Sequence, residues 1–593
     1  MTAEVNSQTA GNPIIDHLDL WSSIYVKKAT TGRGSNGKLS PYGIHKLREL
    51  ILELAVRGKL VPQDPNDEPA SVLLEKAAAE RALLVQKGAL KKPKKLPATS
   101  GEELPFEIPN TWEWARLPDV CNYMPGKTPS TKNPVYWSEN AQGIPWVSIA
   151  DMDHFGKVTD TSKRVTQEAA EKVFKYEPIP AGSLLMSFKL TVGKIVVLDV
   201  DAYHNEAIIS ISPFKGVVRD YLFKALPTRA QEGNTKRAIM GQTLNATSLS
   251  LLLIPVPPFE EQLRIVAKVD ELMALCDQLE QQQTDSLQAH QTLVETLLAT
   301  LVRPTAMDGG SEENAGAIFF EHFDTLFTTE ESIDQLKKTI LQLAVMGRLV
   351  PQDPNDEPVS ELLDRASGEK LRLGEKWKYR LTKKEVKVVS VQANLPKTWG
   401  LVKINEFAWV KGGKRMPKGT SFSALKTPHI YIRVTDMKNL SVSQEDLQYI
   451  DDDLHELLSR YIIEKEDLFV VIVGATIGKV GRVPAELDGA HLTENAAKLM
   501  FRHVNQDYML IALQSGFIKN QFIEKTYEQA QPKLALERIE TTLVPMPPLA
   551  EQQRIVAKVD ELMALCDALK ARIQVAQTTQ VHLADGVVEQ AVA

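Results

Sequence analysis

The stretch IVAKVDELMALCD occupies residues 265–277 and recurs without a change at 555–567. Thirteen identical residues in a helical pattern mark an internal duplication, and the sequence on either side extends it. PVPPFEEQLR (255–264) and PMPPLAEQQR (545–554) come just before the two copies. Much further upstream, AVRGKLVPQDPNDEP (55–69) and AVMGRLVPQDPNDEP (344–358) differ only at Arg57 against Met346 and Lys59 against Arg348. DHLDLW (16–21) has a weaker echo in EHFDTLF (321–327). The chain therefore reads as two homologous halves, about 12–302 and 317–593. RPTAMDGGSEENAGA (303–317), Gly-rich and polar, joins them as a linker, and TTGRGSNGKLS (30–40) is a flexible addition to the first half.

Between the repeats the sequence behaves differently. Residues 106–254 and 396–544 hold equivalent places but share only scattered positions. Trp112 and Trp399 open them, IPWVSIADM (144–152) parallels HIYIRVTDM (429–437), and LTVGKIVVLD (190–199) parallels ATIGKVGRVP (475–484). These fragments read as scaffold strands and turns around unrelated surface. Framework is constant and the inserts vary.

The constant parts are helical. Ser40-Pro41 has the form of an N-cap and first helical position. Leu47, Leu50, Ile51, Leu54 and Ala55 then share one face, and Gly58 can end the helix. VPQDPNDEP, with three prolines, is an ordered turn into a further helix at 70–86, matched at 359–373. A packed helix–turn–helix support explains this region better than catalysis does. After Pro258, the residues Val266, Val269, Met273 and Cys276 fall at a and d of a heptad, and Leu287, Val294, Leu297 and Leu301 resume it. Glu280, Gln283 and His290 interrupt the seam. Val556, Val559, Met563 and Cys566 repeat the pattern. Two helices of about 40 residues, roughly 60 Å each, are expected to pair antiparallel as a rigid coiled-coil spacer. Their cysteines are core residues.

Composition narrows the function. In 593 residues, 43% hydrophobic and 24% charged describe a globular chain, and no run reaches the roughly 18 apolar residues of a membrane span. Three cysteines indicate no disulfide framework, and with no signal pattern at the N-terminus the expectation is a cytoplasmic protein. The net charge of −7 confines nucleic-acid binding to local basic patches or partners. PGKTPS (125–130) is similar to the end of a P-loop, but Cys121 stands where a Gly is needed, and the run 474–479 fails in the same way. NPVYW (133–137) is similar to the Asn-Pro-Pro-Tyr of amino-methyltransferases, but Val135 interrupts it and no Gly-rich cofactor loop precedes it. There is no zinc spacing and no nuclease carboxylate cluster; His17, His204, His322 and His491 are dispersed and read as structural or surface histidines. The chain reads as non-enzymatic and without a metal or cofactor of its own.

Two variable domains, each followed by Pro-Pro-x-x-Glu-Gln and a long helix, resemble the specificity subunit of a type I restriction–modification enzyme (HsdS). VPPFEEQLRIVAKVDEL (256–272), MPPLAEQQRIVAKVDEL (546–562), the TVGK and TIGK turns (191–194, 476–479) and the duplicated LVPQDPNDEP carry the resemblance, which spans nearly the whole chain. The length and the N-terminal helical repeat are similar to the longer, type IB-like members. The resemblance implies an α+β fold with internal two-fold pseudosymmetry, in which two α/β target-recognition domains are separated by the antiparallel long helices. The domains are then a helical region 1–105, target-recognition domain 106–257, spacer helix 258–302, linker 303–316, helical region 317–395, target-recognition domain 396–547 and spacer helix 548–593. It also implies that each insert reads half of a split double-stranded DNA site and that the helices set the spacer and dock two methyltransferase subunits. The resemblance further implies that restriction/translocase subunits complete the complex and that S-adenosylmethionine, ATP and Mg²⁺ belong to the partners. The competing expectation is a duplicated coiled-coil scaffold that binds only proteins.

Base reading needs Arg, Lys, Asn, Gln, Ser or Thr on loops that reach the major groove. In the first insert the candidates are Lys127, Thr128, Lys132, Ser187, Lys189, Thr191, Asn205, Gln242 and Asn245. In the second they are Lys411, Lys414, Arg415 and Lys418 of VKGGKRMPKG, with Arg433, Thr476, Asn495, Gln531 and Lys533. LKKPKKLP (90–97) and KWKYRLTKKEVK (376–387) are additional phosphate-binding candidates, or solvated linkers.

Overall fold

The computed structural model describes residues 13–27, 39–90, 96, 104–232, 236–238, 241–302, 321–379, 395–523 and 533–593. The run at 30–38 expected to be flexible, the expected linker 303–316, most of the two basic runs and Gln531 lie outside the described residues. The chain divides into two compact units, Met1–Asp285 with Gln577–Ala593, and Ser286–Ala576. The division does not follow the two halves of the sequence, because each long helix contributes to both units. No helix among the described residues is long and apolar enough to cross a membrane.

In the first unit, helix α1 (Tyr42–Val56) buries Ile44, Leu47, Leu50, Ile51, Leu54 and Ala55, the face its spacing predicts. It starts differently: Ser40 pairs in a two-residue strand with Val26–Lys27, and Pro41 takes the cap position without a side-chain bond. Gly58 ends the helix at φ +69°, and a Cβ there would lie 2.5 Å from Pro109. Gly347 ends helix α4 (Glu330–Val345) at φ +70°, 2.4 Å from Pro396 by the same measure. Glycine is required twice over, by backbone conformation and by the closeness of the insert's first residues. Helix α2 (Ala70–Gln86) and helix α5 (Val359–Lys376) follow the two VPQDPNDEP turns.

Each insert is closed at its base by an antiparallel ribbon between its first and last strands. Glu113–Arg116 pairs with Leu253–Val256, and Gly400–Lys403 pairs with Leu543–Met546. In the first insert a five-stranded sheet runs in the order Cys121–Pro125, Ile208–Pro213, Leu184–Ser187, Ile195–Leu198, Gly156–Val158. In the second, four strands correspond: Trp409–Gly412, Ala496–Met500, Leu468–Val471 and Val480–Arg482. Both faces of these sheets are covered. Leu184, Met186, Ile209 and Ile211 join the core of the constant helices, while Leu185 and Ile208 face a separate core with Val147 and Met152. Leu468 and Val470 against Phe469 and Val471 repeat the alternation. Burial on both sides explains the unbroken apolar runs. A second four-stranded sheet lies in each insert, built on Ile144–Val147 and on His429–Ile432.

Helices α3 (Phe259–Val302) and α6 (Leu549–Val592) have 44 residues each. In the first unit the early turns of α3 share a core with Val581, Ala584, Val587 and Val588, near the end of α6. In the second, Val294 and Leu298 share a core with Ile555 and Val559. Early turns meeting late turns is the antiparallel pairing the sequence predicts. The seam is displaced by one residue at two positions: Ile265, Val269, Leu272 and Cys276 are buried, whereas Val266 and Met273 are only half-buried. The physical reason is that α3 packs on α1 and the base of the insert as well as on another helix, which turns its buried face. In α6, Ile555, Val559 and Cys566 are buried and Val556 and Met563 half-buried. The polar residues breaking the seam receive other contacts. Gln283 donates to the Ser22 carbonyl, Glu280 binds Arg48 at 2.7 Å, and the His290 ring contacts the Thr325 carbonyl at 3.2 Å. Burial pushes the Cys276 thiol up to about 11 and raises Cys566, so both stay inert thiols.

Candidate nucleic-acid interface

Both inserts are fixed to their long helices by the same clamp. In α3 the buried Glu261 carboxylate accepts from Trp112 Nε1 (3.0 Å) and Gln63 Nε2 (2.7 Å). In α6 Glu551 accepts from Trp399 Nε1 at 3.0 Å. Burial raises both carboxyls, and these donors oppose the rise. One turn on, Arg264 grips Asp67 through both oxygens (2.6 and 3.3 Å) and Arg554 grips Asp356 (2.6 and 3.1 Å). Gln262 and Gln552 each donate to the carbonyl of the second-last residue before the helix, Pro257 and Pro547, at 2.9 Å. The two near-identical VPQDPNDEP turns thus share one mechanical role. Their second Asp holds the helix start in both, joined by Gln63 in the first turn, and their first Asp folds the turn by accepting from Asn66 or Asn355.

From this base the scaffold carries three loops of each insert to one place. Gly126 N donates to Ile208 O (3.1 Å) and Lys127 N to His204 O (2.9 Å); Gly413 N donates to Ala496 O (3.0 Å) and Lys414 N to Leu492 O (2.9 Å). A Cβ on Gly126 would lie 2.0 Å from the His204 carbonyl, and one on Gly413 2.2 Å from that of Leu492, so only glycine lets these loops lie together. Phe188 N to Ala207 O (2.9 Å) and Ile472 N to Asn495 O (2.8 Å) bring in the third loop. An aromatic side chain pins each glycine loop: Trp146 Nε1 donates to Lys127 O (3.0 Å) and Tyr431 OH to Lys414 O (2.7 Å).

Lys127, Thr128, Lys189, Thr191 and Asn205 are therefore gathered on the convergent loops of the first insert, with Lys132 exposed a few residues on. Their side chains differ in freedom. The Lys127 ammonium donates to the Val173 (2.8 Å) and Phe174 (3.0 Å) carbonyls, Thr128 bonds Glu206, and Lys189 lies half-buried over the Phe188 ring. Ser187 departs from the expectation: it is fully buried, because its hydroxyl closes the turn, donating to Thr191 O and accepting from Lys194 N at 3.2 Å. Asn245 is exposed but caps a five-residue helix by accepting from Ser248 N at 2.8 Å. Gln242 pairs through its backbone with Leu190; its side chain is outside the described residues.

In the second insert Lys414, Arg415 and Lys418 are exposed, and Arg415 binds Glu494 at 3.0 Å. Lys411 is half-buried over Tyr379 and Trp409, and burial pulls its ammonium below the usual lysine range. Arg433 is held by Asp436 (2.7 Å) and Asp446 (3.0 Å), which keep its guanidinium charged and occupied. Thr476 is exposed and Asn495 half-buried on the same loops, and the exposed Lys533, on a separate segment, is joined to them by an isolated bridge with Val473. Trp146, Tyr431, Glu206 and Glu494 lie outside the cations and amides that the sequence singles out for DNA contact. The alignment of IPWVSIADM with HIYIRVTDM contained the signal for the aromatic pair.

Known proteins match this arrangement. The family model described as the type I restriction modification DNA specificity domain matches residues 109–289 and 396–576. The type I restriction enzyme EcoAI specificity subunit of Escherichia coli is 37% identical over 609 aligned residues, covering 98% of this chain and 99% of that one. The EcoEI specificity subunit of Escherichia coli is 35% identical over 98% of this chain and 99% of its own length. The crystal structure of the HsdS subunit from Thermoanaerobacter tengcongensis aligns with 83% of this chain and 98% of that one at 16% identity and a TM-score of 0.36. Two tandem specificity domains on a duplicated helical frame, with relatives matched from end to end, place this chain in the family of type I restriction–modification specificity subunits.

Proposed function

We propose that each insert reads one half of a split double-stranded DNA site through its convergent loops, and that the repeated frame docks two copies of one methyltransferase subunit. The lengths of the two long helices set the number of untouched base pairs between the half-sites. S-adenosylmethionine, ATP and Mg²⁺ are assigned to the methyltransferase and restriction subunits, and the setting is the cytoplasm.

The observation that carries this reading is the pattern of sameness at the surface. Buried residues of IVAKVDELMALCD stay fixed because packing fixes them. Exposed ones have no such constraint, since most surface substitutions are nearly neutral. Yet Ala267, Ala274 and Leu275 are exposed and identical to the exposed Ala557, Ala564 and Leu565. Drift has occurred nearby, where only charge matters: Glu68 pairs with Lys76 but Glu357 with Arg365. An unchanged exposed face in two copies suits one partner bound twice. The loops of the inserts, held by matched backbone bonds but different in side chain, suit two different half-sites.

The test is a methylation map of cells expressing this chain with its methyltransferase subunit. The expected result is a split motif that disappears without the chain, and exchange of residues 106–254 changes one half alone. An assembled, active complex that marks no split motif would support the protein-only scaffold instead.

A further inference from the structure

We infer that Glu206 and Glu494 are specificity-determining residues, each accepting a hydrogen bond from an exocyclic amino group, cytosine N4 or adenine N6, on the major-groove edge of its half-site. The inference rests on the DNA-reading function proposed above and adds the base chemistry.

The two glutamates occupy one place in two otherwise different inserts. Strand register aligns Pro125 with Ile209 and Gly412 with Ala497, so Glu206 and Glu494 each stand three residues before the aligned position. The backbone bonds from Gly126 and Gly413, from Lys127 and Lys414, and from Phe188 and Ile472 land on matching residues around them. Asn205 N to Val147 O (3.0 Å) and Thr493 N to Ile432 O (3.2 Å) complete the match. Each glutamate then touches the second residue after its loop glycine: Thr128 donates to Glu206, and Arg415 donates to Glu494 at 3.0 Å.

A carboxylate there opposes phosphate binding. Lys132 follows the glycine loop of the first insert and Lys189 lies on its third loop, while Lys414, Arg415 and Lys418 lie on the glycine loop of the second, as cations suited to a polyanion. A negative charge among them weakens backbone affinity, so its chemistry has to be useful elsewhere. An ionised carboxylate only accepts hydrogen bonds. In the major groove it is matched by the amino groups of cytosine and adenine, and it repels the acceptor edges of guanine and of thymine O4. The glutamate thus supplies discrimination while its neighbours supply affinity. Thr128 and Arg415 orient it and leave carboxylate acceptor capacity for a base.

The test uses the full chain assembled with its methyltransferase subunit. First, the wild-type split motif is mapped. Absence of any motif overturns the DNA-reading function itself, apart from the present inference. With the motif known, each cytosine or adenine of a half-site is replaced in synthetic duplexes by its analogue lacking the amino group. The wild-type complex is expected to lose roughly tenfold or more in affinity at one position of each half-site. Glu206→Ala should abolish that loss in the first insert's half-site alone, and Glu494→Ala in the other. Thr128→Ala should lower binding without changing which base is read. If no amino deletion costs the wild-type complex more than twofold, the inference fails, whether or not the variants fold. It also fails if the variants bind more weakly yet keep the wild-type loss, which would make the glutamates loop braces only.

Discussion

Acid should loosen the first insert chiefly through His204, whose effect adds to that of His154, also held below its usual range by burial and by Lys194. The His204 ring is fully buried, Nε2 has no hydrogen-bond partner among the described residues, and burial drives its pKa down from 6.5 to about 4. The sign follows from proton counting. Below pH 6.5 the unfolded chain binds a proton that the folded insert refuses until about pH 4, so stability falls as pH falls through that window. Between pH 7 and pH 5 the loss is about 2 kcal/mol, a roughly thirtyfold rise in the open fraction. The second insert supplies the control substitution. Leu492, 1% exposed, stands where His204 stands, its carbonyl taking the bond from Lys414 N as the His204 carbonyl takes that from Lys127 N. His204→Leu should therefore fold and remove the His204 share of the acid sensitivity, leaving the smaller part due to His154. The assay is amide hydrogen exchange at strands Leu184–Ser187 and Ile208–Pro213, corrected for intrinsic rates, at pH 7 and pH 5. Equal acid loss in wild type and His204→Leu would refute the reasoning.

Other outcomes follow from the clamp, the loops and the repeated face. Trp112→Phe removes a donor to a buried carboxylate and should destabilise the first unit by about 1.5–3 kcal/mol, read as a drop in thermal midpoint; Trp399→Phe should do the same in the second. Lys132→Ala and Lys418→Ala should each weaken binding to all duplexes alike and flatten the log–log salt dependence by about 0.9 per lost phosphate contact. Leu275→Glu and Leu565→Glu, at positions 38% and 60% exposed, should leave folding intact and each remove one methyltransferase subunit, measured as complex mass in solution.

The duplication, the helices and the doubly buried strands were legible because periodicity is local. The clamp was not. Gln63 and Asp67 meet Glu261 and Arg264 across nearly 200 residues of chain, and no spacing rule connects a turn to a helix that far away. The one-residue displacement of the seam has a similar origin, since a heptad describes a helix with one neighbour and α3 has several. Among the interface candidates, loop membership was readable from Gly-Lys pairs and the TVGK and TIGK turns. Side-chain freedom was not: Ser187 turned inward and Arg433 was captured by Asp436 and Asp446, contacts that depend on the fold. Glu206 and Glu494 carry the sign opposite to that of polyanion-binding residues, so charge pattern does not single them out.

The docking of the end of α6 into the first unit orders events during synthesis. Tyr42 bonds Asp585 (2.9 Å), Arg57 donates to the Val592 carbonyl (2.8 Å), and Val581, Ala584 and Val587 join the core around α1. Residues 577–593 leave the ribosome only after all of the second unit has been made. The unit whose translation begins first is thus the last to be completed, and until then the apolar surface awaiting the end of α6 stays open. A chain interrupted before residue 577 would keep every residue of the second unit and still fail in the first.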